Sequence, residues 1–240
     1  MALALGVTTS PLHVAVGQLM ATAFFFAMRS CEYSTNTRGP RKTKTVRLED
    51  VVFRRSNRIV SHNDVGGIRN AETVSIIFRT QKNGDRDVIV THHRSGSAMM
   101  CPVAILALLV IRLRSYRDSS GSPLAGSTTI NAFAEEGTSG RLTFITPYQV
   151  AHHLRAAAFL YGPDRLGFPV SRLGTHSLRS GAAMAMYLAN VPVETIKLIG
   201  RWRSDSFLKY LRPQVLQFTR DVAAGMNRNP NFFAATVEVT

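Results

Sequence analysis

The chain has 240 residues, 45% of them apolar and 18% charged, enough to bury a sizeable core as one domain. Lys and Arg outnumber Asp and Glu by 29 to 15, giving a net charge of +14 and a pI near 10.8, a surplus that draws polyanions at long range and points to nucleic acid. An anionic membrane surface fits less well, because the basic residues are spread through turns and strands, and the two cysteines, Cys31 and Cys101, exclude a disulfide framework and suit a reducing compartment.

In chain order, residues 12–30 read as a helix that is apolar nearly all round, as expected of a segment enclosed by others. Its apolar run from Val14 to Met28 is interrupted by Gln18, has no basic residues ahead of it and is closed by Arg29. That makes it a buried helix, neither signal peptide nor membrane span. Residues 36–44, Asn-Thr-Arg-Gly-Pro-Arg-Lys-Thr-Lys, form an expected exposed loop whose cations Arg38, Arg41, Lys42 and Lys44 are candidate DNA contacts. Val46 to Phe53 and Ile59 to Ser61 read as short strands. The β-branched runs Thr73 to Thr80 and Arg86 to Thr91 flank Asn83-Gly84, a hairpin turn signal that puts Lys82 beside the tip of a β-hairpin.

Helices resume at Pro102 to Arg117, with proline in the first turn, and a Gly/Ser-rich loop follows from Ser119 to Ser127. Further helices are expected at Pro147 to Tyr161, Thr175 to Asn190, Val193 to Ile199 and Ser204 to Leu211, the last stopped by Pro213, and a final one at Gln214 to Met226. The expected fold is mixed and mainly α with a small antiparallel β-sheet (α+β), one domain over residues 1–228 and a tail over 229–240. There is no internal repeat and no low-complexity tract.

The chemistry gathers near the C-terminal end of the chain. In Thr-His-Ser-Leu-Arg-Ser-Gly, residues 175–181, His176 and Arg179 stand three positions apart and share one helix face. Arg179 falls in a first helical turn, where free backbone N–H groups and the helix dipole already favour an anion, and a guanidinium there completes a phosphate site. The plainer alternative is a surface arginine paired with a carboxylate, and His176 taken alone reads as a structural histidine. Downstream, Gly-Arg-Trp-Arg-Ser-Asp-Ser-Phe-Leu-Lys-Tyr, residues 200–210, ends on Tyr210, an aromatic anchor or a nucleophile. Trp202 is a packing residue whose indole N–H can also reach an anionic oxygen, and Arg201 and Arg203 beside it are either solvated or phosphate-bound. The pairs His92-His93 and His152-His153 diverge on a strand or a helix, so no metal site is expected.

Together these two motifs resemble the tyrosine recombinases, the family of phage integrases and related site-specific DNA strand-exchange enzymes. His176-Ser-Leu-Arg179 is similar to that family's His-x-x-Arg box, and Gly200-Arg-Trp202 followed by Tyr210 to its second His/Trp box and nucleophile. Arg29-Ser-Cys-Glu32 is similar to the family's first arginine and following acid, and Lys82 to its hairpin lysine. The likeness runs over roughly residues 12–226, and its wording is most like recombinases of eukaryotic mobile elements. Tyr210 follows Trp202 after seven residues, one fewer than in most bacterial and phage relatives. Arg29 comes so early that the family's usual helical DNA-clamping domain is expected to be missing.

The resemblance implies a catalytic-domain-like fold and an enzyme that cuts and rejoins double-stranded DNA through a 3′-phosphotyrosyl link. It implies Arg29, Lys82, His176, Arg179, Trp202 and Tyr210 as the catalytic set and requires no cofactor or metal. It also implies assembly of several copies on DNA through the final helix, and an intracellular, DNA-associated location, the nucleus in a eukaryote. Two other classes stay open: type IB topoisomerases, whose Ser-Lys-x-x-Tyr wording is replaced here by Phe207-Leu-Lys-Tyr210, and a non-catalytic DNA-binding remnant.

Overall fold

A computed structural model describes residues 10–35, 43–81, 84–97, 99–134, 142–204 and 207–208. Among them the fold is mixed α+β, helices packed around a small antiparallel sheet. No helix among the described residues is long and apolar enough to cross a membrane.

Helix α1 (Pro11–Phe25) begins where the Ser10 hydroxyl accepts from the His13 backbone N–H at 3.4 Å and proline occupies the first turn, a position that needs no donor. It buries Ala15, Val16, Leu19, Thr22 and Ala23 and packs against α4 (Pro102–Ser115), α5 (Pro147–Tyr161) and α7 (Thr175–Leu188). The helix expected over 12–30 ends early. Met28 N donates to Ala23 O at 2.8 Å and Ala27 N to Phe24 O at 3.1 Å, while Ala27 turns to a φ of +44°. The chain restarts as α2 (Ser30–Tyr33). Left-handed backbone at a residue with a Cβ is strained, and surrounding contacts must hold it.

The sheet runs in the order β2 (Arg58–Val60), β1 (Val51–Arg55), β3 (Thr73–Thr80), β4 (Arg86–His93), all antiparallel. The expected strand Val46 to Phe53 starts late because residues 48–50 coil into a 3-10 turn, closed by Arg47 N donating to the Asp50 carboxylate at 3.0 Å. β3 and β4 pair from Thr73↔His93 to Thr80↔Arg86. The turn joining them is closed by Gln81 N to Asp85 O at 3.0 Å and Gly84 N to Gln81 O at 3.1 Å, with Gly84 at φ +88°, where glycine meets no Cβ penalty.

Short elements absent from the sequence reading are α3 (Val65–Arg69), the pair β5 (Ala132–Ala134) and β6 (Leu142–Phe144), and α6 (Pro163–Leu166). The main core joins α1, α4 and the sheet, with Leu19, Phe26, Phe53, Ile76, Leu106, Leu109 and Leu113 fully buried. A smaller cluster of Ile196 and Phe207, with Trp202 and Tyr187 against it, seats α8 (Val193–Gly200) beside α7. Of the expected helix Ser204 to Leu211, only residues 204, 207 and 208 are described; the helix Gln214 to Met226 and the tail lie outside the described residues.

Candidate functional site

The site is built around the turn at residues 26–29. Arg29 stands at the start of α2, where Glu32 accepts its backbone N–H at 2.8 Å, as the third helical residue does in a capping box. The same carboxylate accepts from Arg29 Nη1 at 2.9 Å and from Arg201 Nη2 at 2.7 Å, and Glu32 is 1% exposed. Arg29 Nη1 also donates to Gln81 Oε1 at 3.1 Å, and Arg29 Nη2 to the Arg201 carbonyl, 172 positions away, at 3.3 Å. Arg29 keeps 20% of its side chain exposed, and its Nε has no hydrogen-bond partner among the described residues.

Helix α7 brings the second arginine. Its first turn opens with Gly174 N donating to the Ser177 hydroxyl at 3.0 Å, and Arg179 follows one turn after His176. Arg179 is 3% exposed; its Nη1 donates to Ala27 O and its Nη2 to Gly200 O at 2.6 Å. The guanidinium carbon lies 4.1 Å from the Trp202 ring centroid, a cation–π stack. His176 is exposed as a residue while its ring is partly covered. That covering, and then the positive charge of Arg179, lower its pKa, so the imidazole is neutral at pH 7 and able to accept a proton.

At the end of α8 the chain reverses through Arg201, which takes a left-handed φ of +57°. Trp202 N donates to Lys197 O at 2.9 Å, and the indole folds back over Gly200 so closely that a Cβ there would sit 1.6 Å from the ring. Only glycine fits at position 200 with the indole in this place. Trp202 thus lies between Gly200 and Arg179, with Phe207 at 5.7 Å between centroids.

Arg201 corrects an expectation. Read from the sequence as a DNA contact, it is 5% exposed, donates to Phe26 O and Ile199 O at 3.0 Å each, and stacks 3.5 Å over Phe78. The left-handed turn at its own backbone sends its side chain inward. Burial pulls its pKa down to about 10, opposed by Glu32 and reinforced by Arg29, so it stays charged at neutral pH. Two guanidinium groups, those of Arg29 and Arg201, therefore share a single carboxylate, Glu32, and that of Arg179 is held on the carbonyls of Ala27 and Gly200, the first of which Arg201 also reaches. An excess of positive charge with restricted access to water favours an anion.

Arg203 and Lys44 remain at the surface, Arg203 paired with Asp85 at the β3–β4 turn. Lys82, Tyr210, Arg38, Arg41 and Lys42 lie outside the described residues. His92 and His153 give a ring nitrogen to the carbonyls of Phe25 and Gln149, at 2.8 Å and 2.7 Å. No group of metal-ligating side chains occurs among the described residues. Gln81 was missed by sequence reasoning: a glutamine at the end of a strand carries no periodic mark of burial, and only its place beside Lys82 sets it apart. No protein-family model matches the chain, and no curated protein matches it.

Proposed function

We propose that the chain cuts and rejoins DNA strands as the tyrosine recombinases it resembles do, through a 3′-phosphotyrosyl intermediate. The observation that carries this reading is the meeting of Arg29, Arg179 and Trp202 at the turn 26–29 and the end of α8, although they are far apart in sequence, with His176 one helical turn before Arg179. Such a set suits a phosphorane whose equatorial oxygens gain negative charge, each charged hydrogen bond contributing about 1.5–3 kcal/mol. In this mechanism the Tyr210 hydroxyl attacks the phosphorus and gives its proton to neutral His176. The bond from phosphorus to the 5′ oxygen breaks, and Lys82 protonates the leaving oxygen, a step that contributes about 10² to 10⁴ in rate. A second 5′ hydroxyl then attacks the phosphotyrosine and reseals the strand.

A second reading, a non-catalytic DNA-binding scaffold, is favoured by one feature: both Nη atoms of Arg179 donate to backbone carbonyls. Suicide DNA substrates separate the two. The recombinase reading expects a protein–DNA adduct on a denaturing gel with the parent chain and none with Tyr210→Phe. Arg179→Ala is expected to lose the adduct while keeping most of its salt-sensitive DNA binding, to which many other cations contribute. Binding without any adduct from the parent chain would leave the scaffold reading. Relaxation of supercoiled plasmid without sequence preference would instead favour topoisomerase activity.

A further inference from the structure

The geometry points to Gln81 as a positioning residue for Arg29, setting which edge of that guanidinium meets an oxyanion; this rests on the reading of Arg29 as an anion ligand. Gln81 is fully buried at the end of β3, where the β3–β4 turn closes over it through its own backbone N–H and carbonyl. Its carboxamide oxygen accepts from Arg29 Nη1 at 3.1 Å, which fixes the orientation of the amide. The other end of that amide, Nε2, is buried and makes no hydrogen bond among the described residues. A buried amide donor without a partner lowers stability, so an apolar side chain of similar size would serve the core better. The carboxamide is explained by what its oxygen does.

That oxygen completes a clamp. Arg29 Nη1 has two hydrogens, one taken by Glu32 Oε1 at 2.9 Å and one by Gln81. With Nη1 held from two sides, the orientation of the planar guanidinium about its side-chain torsions is fixed. The unsatisfied donors then lie on the Nε and Nη2 side, where Nη2 makes one long bond of 3.3 Å to the Arg201 carbonyl. This side-on pair of parallel N–H groups is the fork that matches two oxygens of a phosphate. Without Gln81 the plane would be held by Glu32 on one arm and by the long Arg201 carbonyl bond on the other; Gln81 adds the second bond on Nη1 that tightens it. The ligand class is a tetrahedral oxyanion such as a phosphodiester or pyrophosphate.

The test measures binding of radiolabelled pyrophosphate by equilibrium dialysis, together with the thermal midpoint, on the full chain. Gln81→Met is expected to weaken pyrophosphate binding about tenfold without lowering the thermal midpoint, since the variant also removes the unpaired donor. In an Arg29→Lys background, which has no fork to orient, the same substitution is expected to change affinity by less than about twofold. Should Gln81→Met fail to fold, the shorter Gln81→Asn is measured for the same pattern. Unchanged pyrophosphate affinity, an equal loss in the Arg29→Lys background, a loss matched by a fall in thermal midpoint, or no binding by the parent chain would each overturn the assignment. The outcome is separable from that of the strand-cutting reading: coupled pyrophosphate binding without a DNA adduct supports Gln81 and sinks the recombinase, whereas adduct formation with no Gln81 effect does the reverse.

Discussion

Glu32 receives two guanidinium groups and a backbone N–H while almost wholly withdrawn from water. Taking one partner from a buried ion pair costs about 3–5 kcal/mol, because the other charge is left uncompensated. Glu32→Gln is therefore expected to lower the unfolding free energy by about 3 kcal/mol in urea denaturation. A loss below about 1 kcal/mol would put the pair in the class of solvated surface bridges. Gly200 carries a different constraint, since its missing Cβ is where the Trp202 ring lies. Gly200→Ala is expected to destabilise the fold by about 1–3 kcal/mol, and to shift the emission of Trp202, the only tryptophan, by forcing the ring off Arg179. Unchanged emission would mean that the backbone moves instead. The spacing of His176 and Arg179 made their shared neighbourhood legible beforehand. The inward turn of Arg201 was not, because an arginine beside a tryptophan carries no sign that its own backbone will go left-handed.

Strand β3 and helix α5 match the expected limits, Thr73–Thr80 and Pro147–Tyr161. Their ends are written in local chemistry: a β-branched run beside a turn signal in one, and in the other a reciprocal capping box of Thr146 and Gln149, with N–H···O distances of 2.9 Å and 3.3 Å. The end of α1 was illegible for the opposite reason. Apolar residues continue from Phe24 through Met28 across the break, and no glycine or proline marks it. The turn is held by distant groups, as Arg179 and Arg201 donate to the carbonyls of Ala27 and Phe26. The three-residue strands β5 and β6 are too short to leave a periodic trace.

Histidines mark several seams between these elements. His62 bonds to the Val51 carbonyl of β1 at 2.7 Å, His92 on β4 to the Phe25 carbonyl that ends α1, and His153 on α5 faces His13 of α1 at 4.6 Å between centroids. Burial lowers the pKa of all three, opposed by their carbonyl hydrogen bonds. The unfolded chain thus binds more protons on these rings than the folded chain below about pH 6.5, the ordinary histidine value. Stability is full above that pH and falls as the pH drops through it toward the lower folded-state values. The thermal midpoint is expected to be lower near pH 5 than near pH 7, with a shallower dependence in His92→Gln; a midpoint that rises on acidification would contradict this.

For the whole molecule, a net charge of +14 gives a long-range attraction for polyanions that owes nothing to the site. DNA affinity is expected to fall with salt at a log–log slope of about −0.9 per phosphate contacted. Lys44→Ala and Arg203→Ala, at exposed positions, should each reduce the size of that slope by about one, whereas buried Arg201 should contribute nothing to it. The proposed function is narrower than DNA binding: it has the phenol of Tyr210 attack a phosphodiester held by Arg29 and Arg179. Its most direct test is to trap the chain on a suicide DNA substrate, digest the DNA and the protein, and locate the residual nucleotide by mass spectrometry. The account predicts a nucleotide esterified to Tyr210, in the tryptic peptide that contains it. A nucleotide on any other residue, or none at all despite tight DNA binding, would contradict it.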